Sequence, residues 1–306
     1  MKLERIIKSC GLLITVLAVA FVPFMSASAE ESDEKPATWI QISPVSERVN
    51  IECGQKFDGT FQVSNIGGEA FDFEVYANAY GVQDLSYDPI FDQETSYTQL
   101  AKWVTFDQKS YKALAPADSV DVSYHIAAPE DCPGGGQYAV LFAQTIPKDG
   151  ATSGMGLQTV SRVGELVFAN LGGETRKSGE FVSFEQKWWT DDKIASSTVI
   201  KNTGNVDFAV NQKFTVTTLF GNEIYNNTID RSVLPDTSRE LTQTWEETPA
   251  VGLFNVTNQT TYMGETPVNE TKLVLVAPFW LIVVFFTILC LILIVIVAII
   301  IRKVRK

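Results

Sequence analysis

Apolar and polar residues alternate with a period of two through most of the chain between its two apolar ends. The clearest examples are FDGTFQV (57–63), FDFEVY (71–76), VDVSYHI (120–126), STVI (197–200), KFTVT (213–217) and LFNV (253–256). Alternation of this kind, interrupted by Gly, Pro, Asn and Asp, indicates half-buried antiparallel strands. Apart from the C-terminal segment, only residues 97–102 suggest a helical turn. The pattern therefore predicts an all-β fold of immunoglobulin-like antiparallel sandwiches.

The strand pattern occurs twice, which predicts two tandem sandwiches. VSNIGG (63–68) is echoed 137 positions later by IKNTGN (200–205), and in each case an Asn ends a strand and Gly follows in the turn. Asn and Gly are the residues that accept the positive φ such turns need. We expect a first sandwich over residues 37–175 and a second over residues 176–272, with residues 148–156 forming a hairpin loop of the first.

The two apolar ends predict a secreted protein that stays attached to the membrane. Residues 273–301 are almost entirely apolar, and the segment 279–301 is long enough to span a bilayer. The basic tail 302–306 predicts a cytoplasmic C-terminus and an extracellular remainder. Residues 1–29 have a basic start, an apolar core and an Ala-Ser-Ala end, typical of a bacterial signal peptide. An uncleaved N-terminal anchor is the alternative.

The extracellular part is strongly acidic. All but one of the 36 acidic residues, but only 17 of the 24 basic ones, lie between Glu30 and Lys272. This balance argues against nucleic acid as a partner. His125 is the only histidine, and the alternation places it on the solvent face of its strand. We therefore expect no catalytic residues, no metal site, no cofactor and no enzymatic activity.

Two cysteines remain once the ends are set aside, because Cys10 lies in the signal peptide and Cys290 in the membrane helix. Cys53 and Cys132 are predicted to form a disulfide in an oxidising compartment. Such a bond would close a loop of about 80 residues and stabilise the fold by roughly 4 kcal/mol in the chain-entropy model. Free thiols or an intermolecular bridge are the alternatives.

A tryptophan pair is the candidate partner contact. Trp188 and Trp189 lie in a polar setting, and adjacent strand residues point to opposite faces, so one should be exposed. An exposed Trp is a common anchor in protein interfaces. Packing at the junction between domains is the alternative. The acidic loop with Asp84, Asp88 and Asp92 matches no calcium-binding loop, and we expect it to be solvated.

Several motifs, in this order, resemble the WxL-interacting protein family of Gram-positive surfaces. They are VNIECGQ (49–55), VSN (63–65), WVTF (103–106), LAPADS (114–119), APEDCPGGGQY (128–138), KNTGN (201–205), LFGNE (219–223) and VLP (233–235) before Arg239. The resemblance covers nearly everything from Ile42 onward. It implies a signal peptide, a first sandwich implicated in peptidoglycan binding, a second that binds WxL-domain proteins, and one membrane helix with a basic tail. The chain contains no Trp-x-Leu of its own, which suits a receptor.

Together these observations predict a non-catalytic, membrane-anchored cell-surface binding protein. Its partners would be cell-wall polymer, surface proteins of the WxL type, or both, and the helix would hold it in the cell membrane. The alternative is an accessory or receptor subunit of an envelope export or assembly complex. The helix has no polar residue but Thr287 and Cys290, which favours a plain anchor.

Overall fold

The computed structural model describes residues 38–147 and 160–304. The predicted signal peptide (1–29), the predicted hairpin loop (148–156) and the end of the basic tail (305–306) lie outside these residues. By their contacts, the residues from 37 onward group into one compact unit.

The first half of the chain forms a sandwich of a four-stranded and a five-stranded sheet. Their strand orders are β1-β3-β9-β7 and β2-β11-β10-β4-β8, while β5 and β6 make a separate two-stranded ribbon. The strands are β1 (Ile40–Ser43), β2 (Ser46–Ile51), β3 (Lys56–Asn65), β4 (Phe71–Ala79), β5 (Gly81–Val82), β6 (Pro89–Ile90), β7 (Val104–Phe106), β8 (Ser110–Leu114), β9 (Ser119–Ala127), β10 (Gly135–Ile146) and β11 (Arg162–Leu171). The helical turn predicted near residues 97–102 is a 3-10 helix at Gln99–Trp103.

The second half repeats this arrangement with one strand fewer. A three-stranded sheet, β12-β14-β17, faces a five-stranded sheet, β13-β19-β18-β15-β16. The strands are β12 (Gly179–Gln186), β13 (Trp189–Thr190), β14 (Ile194–Asn202), β15 (Phe208–Thr218), β16 (Glu223–Val233), β17 (Ser238–Trp245), β18 (Gly252–Tyr262) and β19 (Val268–Val276). The interval 172–178 between β11 and β12 contains the boundary that we placed at Thr175. The architecture is the predicted all-β fold of two tandem immunoglobulin-like sandwiches.

The apolar residues of the alternating pattern face the interior, as predicted. In β9, Val122, Tyr124 and Ile126 are fully buried, whereas His125 between them lies on the outer face. In the first sandwich such inward residues merge into a single hydrophobic core that reaches across both sheets, with Phe61, Phe73 and Tyr124 among its largest members.

The predicted disulfide is present and closes one end of the first sandwich. Cys53 follows β2 and Cys132 precedes β10, and their Cα atoms are 5.5 Å apart. The same end is tied by backbone hydrogen bonds from Gly54 N to Pro129 O and from Gly172 N to Ile51 O.

A single α-helix, α1 (Phe279–Val304), follows the second sandwich almost without a linker. It is long and apolar enough to cross a membrane. The predicted end of the second domain at Lys272 falls inside β19, which continues to Val276 and buries Val274 and Val276 in the core. Only Ala277 and Pro278 therefore separate the sandwich from the helix.

Candidate strand-edge and groove site

The most distinctive part of the second sandwich is the edge strand β19, which is left mostly open. Its counterpart in the first sandwich, β11, is covered by another strand. In the first sandwich β2 runs parallel to β11 and covers it from Leu166 to Leu171. In the second, β13 covers β19 only at Leu275 and Val276. The difference arises from the point at which the chain crosses from one sheet to the other. In the first sandwich it crosses after β1, which has four residues, and in the second after β12, which has eight.

The uncovered part of β19 presents a row of backbone groups. Leu275 N donates to Trp188 O at 2.8 Å, so odd-numbered residues of β19 point their backbone groups toward this edge. Leu273, Thr271 and Asn269 follow the same alternation, and no strand among the described residues pairs with them on this side. An edge of this kind is a template for an extended segment of another protein.

A groove of about 680 Å³ lies at the helix-proximal end of the three-stranded sheet. It is lined by the end of β12, residues 190–193, the start of β14, Glu240 and Thr242 of β17, and Lys272 of β19. The Lys272 ammonium lies 5.2 Å from the centre of the Phe184 ring, which gives the groove an aromatic and a cationic side.

Two polar atoms at the groove have no hydrogen-bond partner among the described residues. They are the Ser196 hydroxyl and the Gln186 side-chain carbonyl oxygen, and Ser196 is only 3% exposed. Both atoms are shielded from solvent, and an unpaired buried polar group of this kind costs about 1–3 kcal/mol.

Ser196 belongs to a layer of polar side chains that divides the interior of the second sandwich. This polar belt consists of Ser196, Thr198, Gln212, Gln243, Asn258 and Thr260, all nearly or fully buried. One hydrophobic cluster lies on the helix side of the belt and includes Phe214 and Trp245. A second, with Phe208 and Leu241, lies on the far side.

The polar belt is only partly satisfied. Gln212 Nε2 donates to Thr198 Oγ1 at 2.8 Å, and Gln243 Nε2 donates to Gln212 O at 3.0 Å. The Gln212 side-chain oxygen and both amide atoms of Asn258 have no partner among the described residues. In the first sandwich, Val75 of β4 stands at the position of Gln212, and Leu141 of β10 at that of Asn258. The strand pairs β4–β10 and β15–β18 have the same register, which makes these positions equivalent.

The two tryptophans behave as the alternation predicts. Trp188 is 69% exposed, while Trp189 is half-buried and its Nε1 donates to Ala277 O at 3.0 Å. The Trp189 ring lies 6.2 Å from that of Phe279 at the start of α1. The pair thus lies where the sandwich meets the helix and not between the two sandwiches; its role as a partner contact stays a prediction.

The junction between the sandwiches was missed by the sequence reasoning. The loop after β5, expected to be solvated, instead packs on the second sandwich. Leu85 N donates to Ser238 O at 2.8 Å, Glu240 N donates to Leu85 O at 3.1 Å, and Asp84 Oδ1 accepts from Ser238 N at 2.5 Å. Leu85 adopts a left-handed φ of 66°, which these contacts hold in place.

An ion pair, largely exposed on the Arg48 side, adds to this junction. The Arg48 guanidinium lies 2.7 Å from Asp207 Oδ2, and Tyr138 Oη donates to Asp207 Oδ1 at 3.2 Å while accepting from Asp207 N at 2.9 Å. Burial raises the pKa of Tyr138, and the nearby Asp207 carboxylate adds to this. Arg48 also stacks 4.6 Å from the centre of the Phe168 ring.

His125, the single histidine of the sequence, lies outside these regions. His125 lies on the sheet surface, 2.6 Å from Asp58 and 2.8 Å from Asp107, and these hydrogen bonds raise its pKa, Asp58 first. Over residues 38–147 and 160–304, no three His, Cys, Asp or Glu side chains are placed to hold a metal ion.

One carboxylate faces the core of the first sandwich. Glu165 is fully buried without a hydrogen-bond partner in the described part of the chain. Burial raises its pKa to about 8, and the nearby Glu47 carboxylate contributes. Glu47 Oε2 accepts a 2.5 Å hydrogen bond from Tyr124 Oη.

Comparison with known proteins identifies no family for this chain. No family model matches it, and no curated protein sequence does. Among solved structures, the class 5 fimbriae chaperone CfaA matches with a TM-score of 0.39 and 12% identity, over 76% of this chain and 99% of that chain. The Escherichia coli chaperone DraB matches with a TM-score of 0.37 and 12% identity, over 79% and 98%. A structure of the Salmonella enterica SafA pilin with the SafB chaperone gives 0.37 and 10%, over 78% and 96%.

Proposed function

We propose that this chain is a non-catalytic, membrane-anchored cell-surface protein that binds an extended segment of a partner protein along the β19 edge. The observation that carries the proposal is the contrast between β2, which covers six residues of β11, and β13, which covers two of β19. The first sandwich completes this edge with its own chain. The second leaves it open, beside a groove lined in part by Lys272 of the same strand.

The resemblance to WxL-interacting proteins supports a more specific version. On that reading the partner is a WxL-type surface protein, the first sandwich contacts the cell-wall polymer, and the protein is anchored with its C-terminus in the cytoplasm. The wall-binding part rests on the resemblance alone.

The helix is better suited to anchoring than to assembly within the membrane. Thr287 is one of its two polar residues before Arg302, and its hydroxyl already donates to Val283 O at 2.8 Å. A subunit of an export complex would be expected to present polar groups to its neighbours.

A pair of variants at Thr271 tests the edge. Thr271→Pro removes an edge N–H while leaving the backbone hydrogen bonds toward β18 intact, whereas Thr271→Val keeps the N–H. Both variants lose the hydroxyl bond to Thr257 of β18, so they differ only at the edge. The full-length chain in nanodiscs is incubated with a surface-protein extract, and the retained protein is identified and purified. We expect Thr271→Pro to lose this partner and Thr271→Val to keep it.

Hydrogen exchange on the unmodified chain guards against a folding defect in the proline variant. Binding should slow exchange at the amides of Asn269, Thr271 and Leu273. Equal retention by both variants, with no change at these amides, would refute edge pairing. In a parallel arm, retention on isolated peptidoglycan tests the wall-binding part separately.

A further inference from the structure

Three loops of the second sandwich lie at the end from which the helix leaves. Thr218, the last residue of β15, pairs with Phe254, and Gly252 at the start of β18 pairs with Val276. The β15–β16 hairpin and the loop before β18 therefore approach the level of Phe279, where α1 begins. The crossing between β12 and β13 joins them there, because Trp189 pairs with Leu275.

Each of these loops exposes an apolar side chain. Phe220 at the hairpin tip is 93% exposed, Trp188 is 69% exposed, and Val251 before β18 is 54% exposed. Leu219, next to Phe220, is also 54% exposed. Exposed apolar residues gathered from separate loops at one end of a domain mark an interaction surface.

Backbone hydrogen bonds define two of these loops. In the hairpin, Gly221 N donates to Thr218 O at 3.0 Å and Thr218 N donates to Asn222 O at 2.9 Å. Gly221 has a φ of 84°, a conformation that favours glycine, so the turn stays tight with Phe220 at its tip. The backbone of Trp188 is held by its carbonyl, which accepts from Leu275 N.

The depth of the helix places this end at the membrane surface. From Phe279 to Ile301, before the basic residues, the helix is about 34 Å long at 1.5 Å per residue. This length matches a hydrocarbon core of about 30 Å, so Phe279 lies close to its outer boundary. The strand ends are three residues from Phe279, within about 10 Å of that boundary, and the headgroup layer is about 5–8 Å deep. Loops that extend past the strand ends toward the helix therefore reach this layer.

Acidic residues outnumber basic ones at this end, so it does not attract anionic lipid. Lys187 and Lys193 are outnumbered by Asp191, Asp192, Glu223, Glu246 and Glu247, and Lys193 is paired with Glu246 at 3.2 Å. Contact with the bilayer must therefore come from the aromatic and aliphatic side chains, which partition into the membrane interface without help from charge.

We propose that the helix-proximal end of the second sandwich docks on the bilayer that holds α1, with Trp188, Phe220 and Val251 inserted into the outer headgroup layer. The sandwich is then fixed on the membrane surface at four points, the helix and three loops. The β19 edge and its groove open directly above the lipid.

Site-directed fluorescence tests this docking in the full-length chain. Both labelled chains carry Cys290→Ser, because the free Cys290 of the helix would otherwise take the label. A cysteine at Phe220 (Phe220→Cys) carries an environment-sensitive nitrobenzoxadiazole label, and a matched label at Lys109→Cys reports from an exposed turn of the first sandwich. In vesicles of zwitterionic lipid, the label at 220 should shift to the blue and lose most of its emission to nitroxide-bearing lipids. The label at 109 should do neither.

The lipid composition distinguishes apolar insertion from charge attraction. Adding anionic lipid should leave the quenching of the label at 220 unchanged. Quenching that appears only with anionic lipid, or a label at 220 as exposed as that at 109, would overturn the proposal. Shielding that appears only when a partner protein is added would overturn it too.

Discussion

Asn65 and Asn202 make the same three hydrogen bonds in the two sandwiches. Each side-chain amide donates to the carbonyl of the residue four positions later and to the last residue of an edge strand, Leu114 or Val233. Each side-chain oxygen accepts from the glycine N–H two positions later. One buried amide therefore fixes the turn between two strands and ties it to a third, in both halves of the chain.

Replacing Asn202 by alanine should destabilise the second sandwich. The change leaves a buried N–H and two carbonyls without their partner, which costs about 3 kcal/mol. Denaturant unfolding of the full-length chain, followed by tryptophan fluorescence, measures the effect. Asn211→Ala is the matched control, because Asn211 is exposed and makes a single side-chain bond to Asp230. Equal midpoints for the two variants would contradict the role assigned to Asn202.

The sequence predicted what depends on local pattern. The Asn–Gly repeat involves only a few consecutive residues. The alternation around Tyr124 and His125 predicts which side chains are buried once the segment is assigned as a strand. The junction could not be predicted in this way. The pairing of Leu85 with Ser238 and Glu240 depends on how two sandwiches dock and requires a left-handed φ at Leu85, which its sequence does not signal.

The polar belt was visible in the sequence but was not recognised. Gln212 and Asn258 occupy inward positions of their strands, flanked two residues away by Val210, Phe214 and Val256. An amide in that position breaks the apolar alternation, and this signal could have located the belt. Which of its atoms remain unpaired depends on packing across the two sheets.

Replacing Asn258 by leucine should stabilise the second sandwich. The variant removes two buried unpaired atoms and restores the residue that the first sandwich has at this position, Leu141. We expect a gain of about 2 kcal/mol. The reverse change, Leu141→Asn, should cost at least as much in the first sandwich. Thermal unfolding of both variants checks the pair, and a loss of stability in Asn258→Leu would show that the belt is satisfied by other means.

The stability of the first sandwich should fall as the pH rises from about 4.5 to about 8. The pKa of Glu165 is raised from an ordinary 4.5 to about 8, so over this range the folded chain keeps a proton that the unfolded chain has lost. The unfolded state then binds fewer protons, and the free energy of unfolding decreases with pH. Denaturant midpoints measured across this range should show the decline, and Glu165→Gln should flatten it. An unchanged slope in that variant would assign the effect to another group.

Replacing Asp207 by alanine should loosen the junction between the sandwiches. The Asp207 carboxylate is the shared partner of Arg48 and of the Tyr138 hydroxyl proton. Its loss removes the ion pair and leaves that proton without its acceptor, while Tyr138 Oη keeps the bond from the backbone N of residue 207. The lost side-chain hydrogen bond from the Tyr138 hydroxyl alone costs about 1 kcal/mol. Distances between spin labels, one on each sandwich, should broaden in Asp207→Ala and stay narrow in the control Asp230→Ala, an exposed site bonded to Asn211. A narrow distribution in both would mean that the backbone pairing of Leu85 holds the junction without the charge pair.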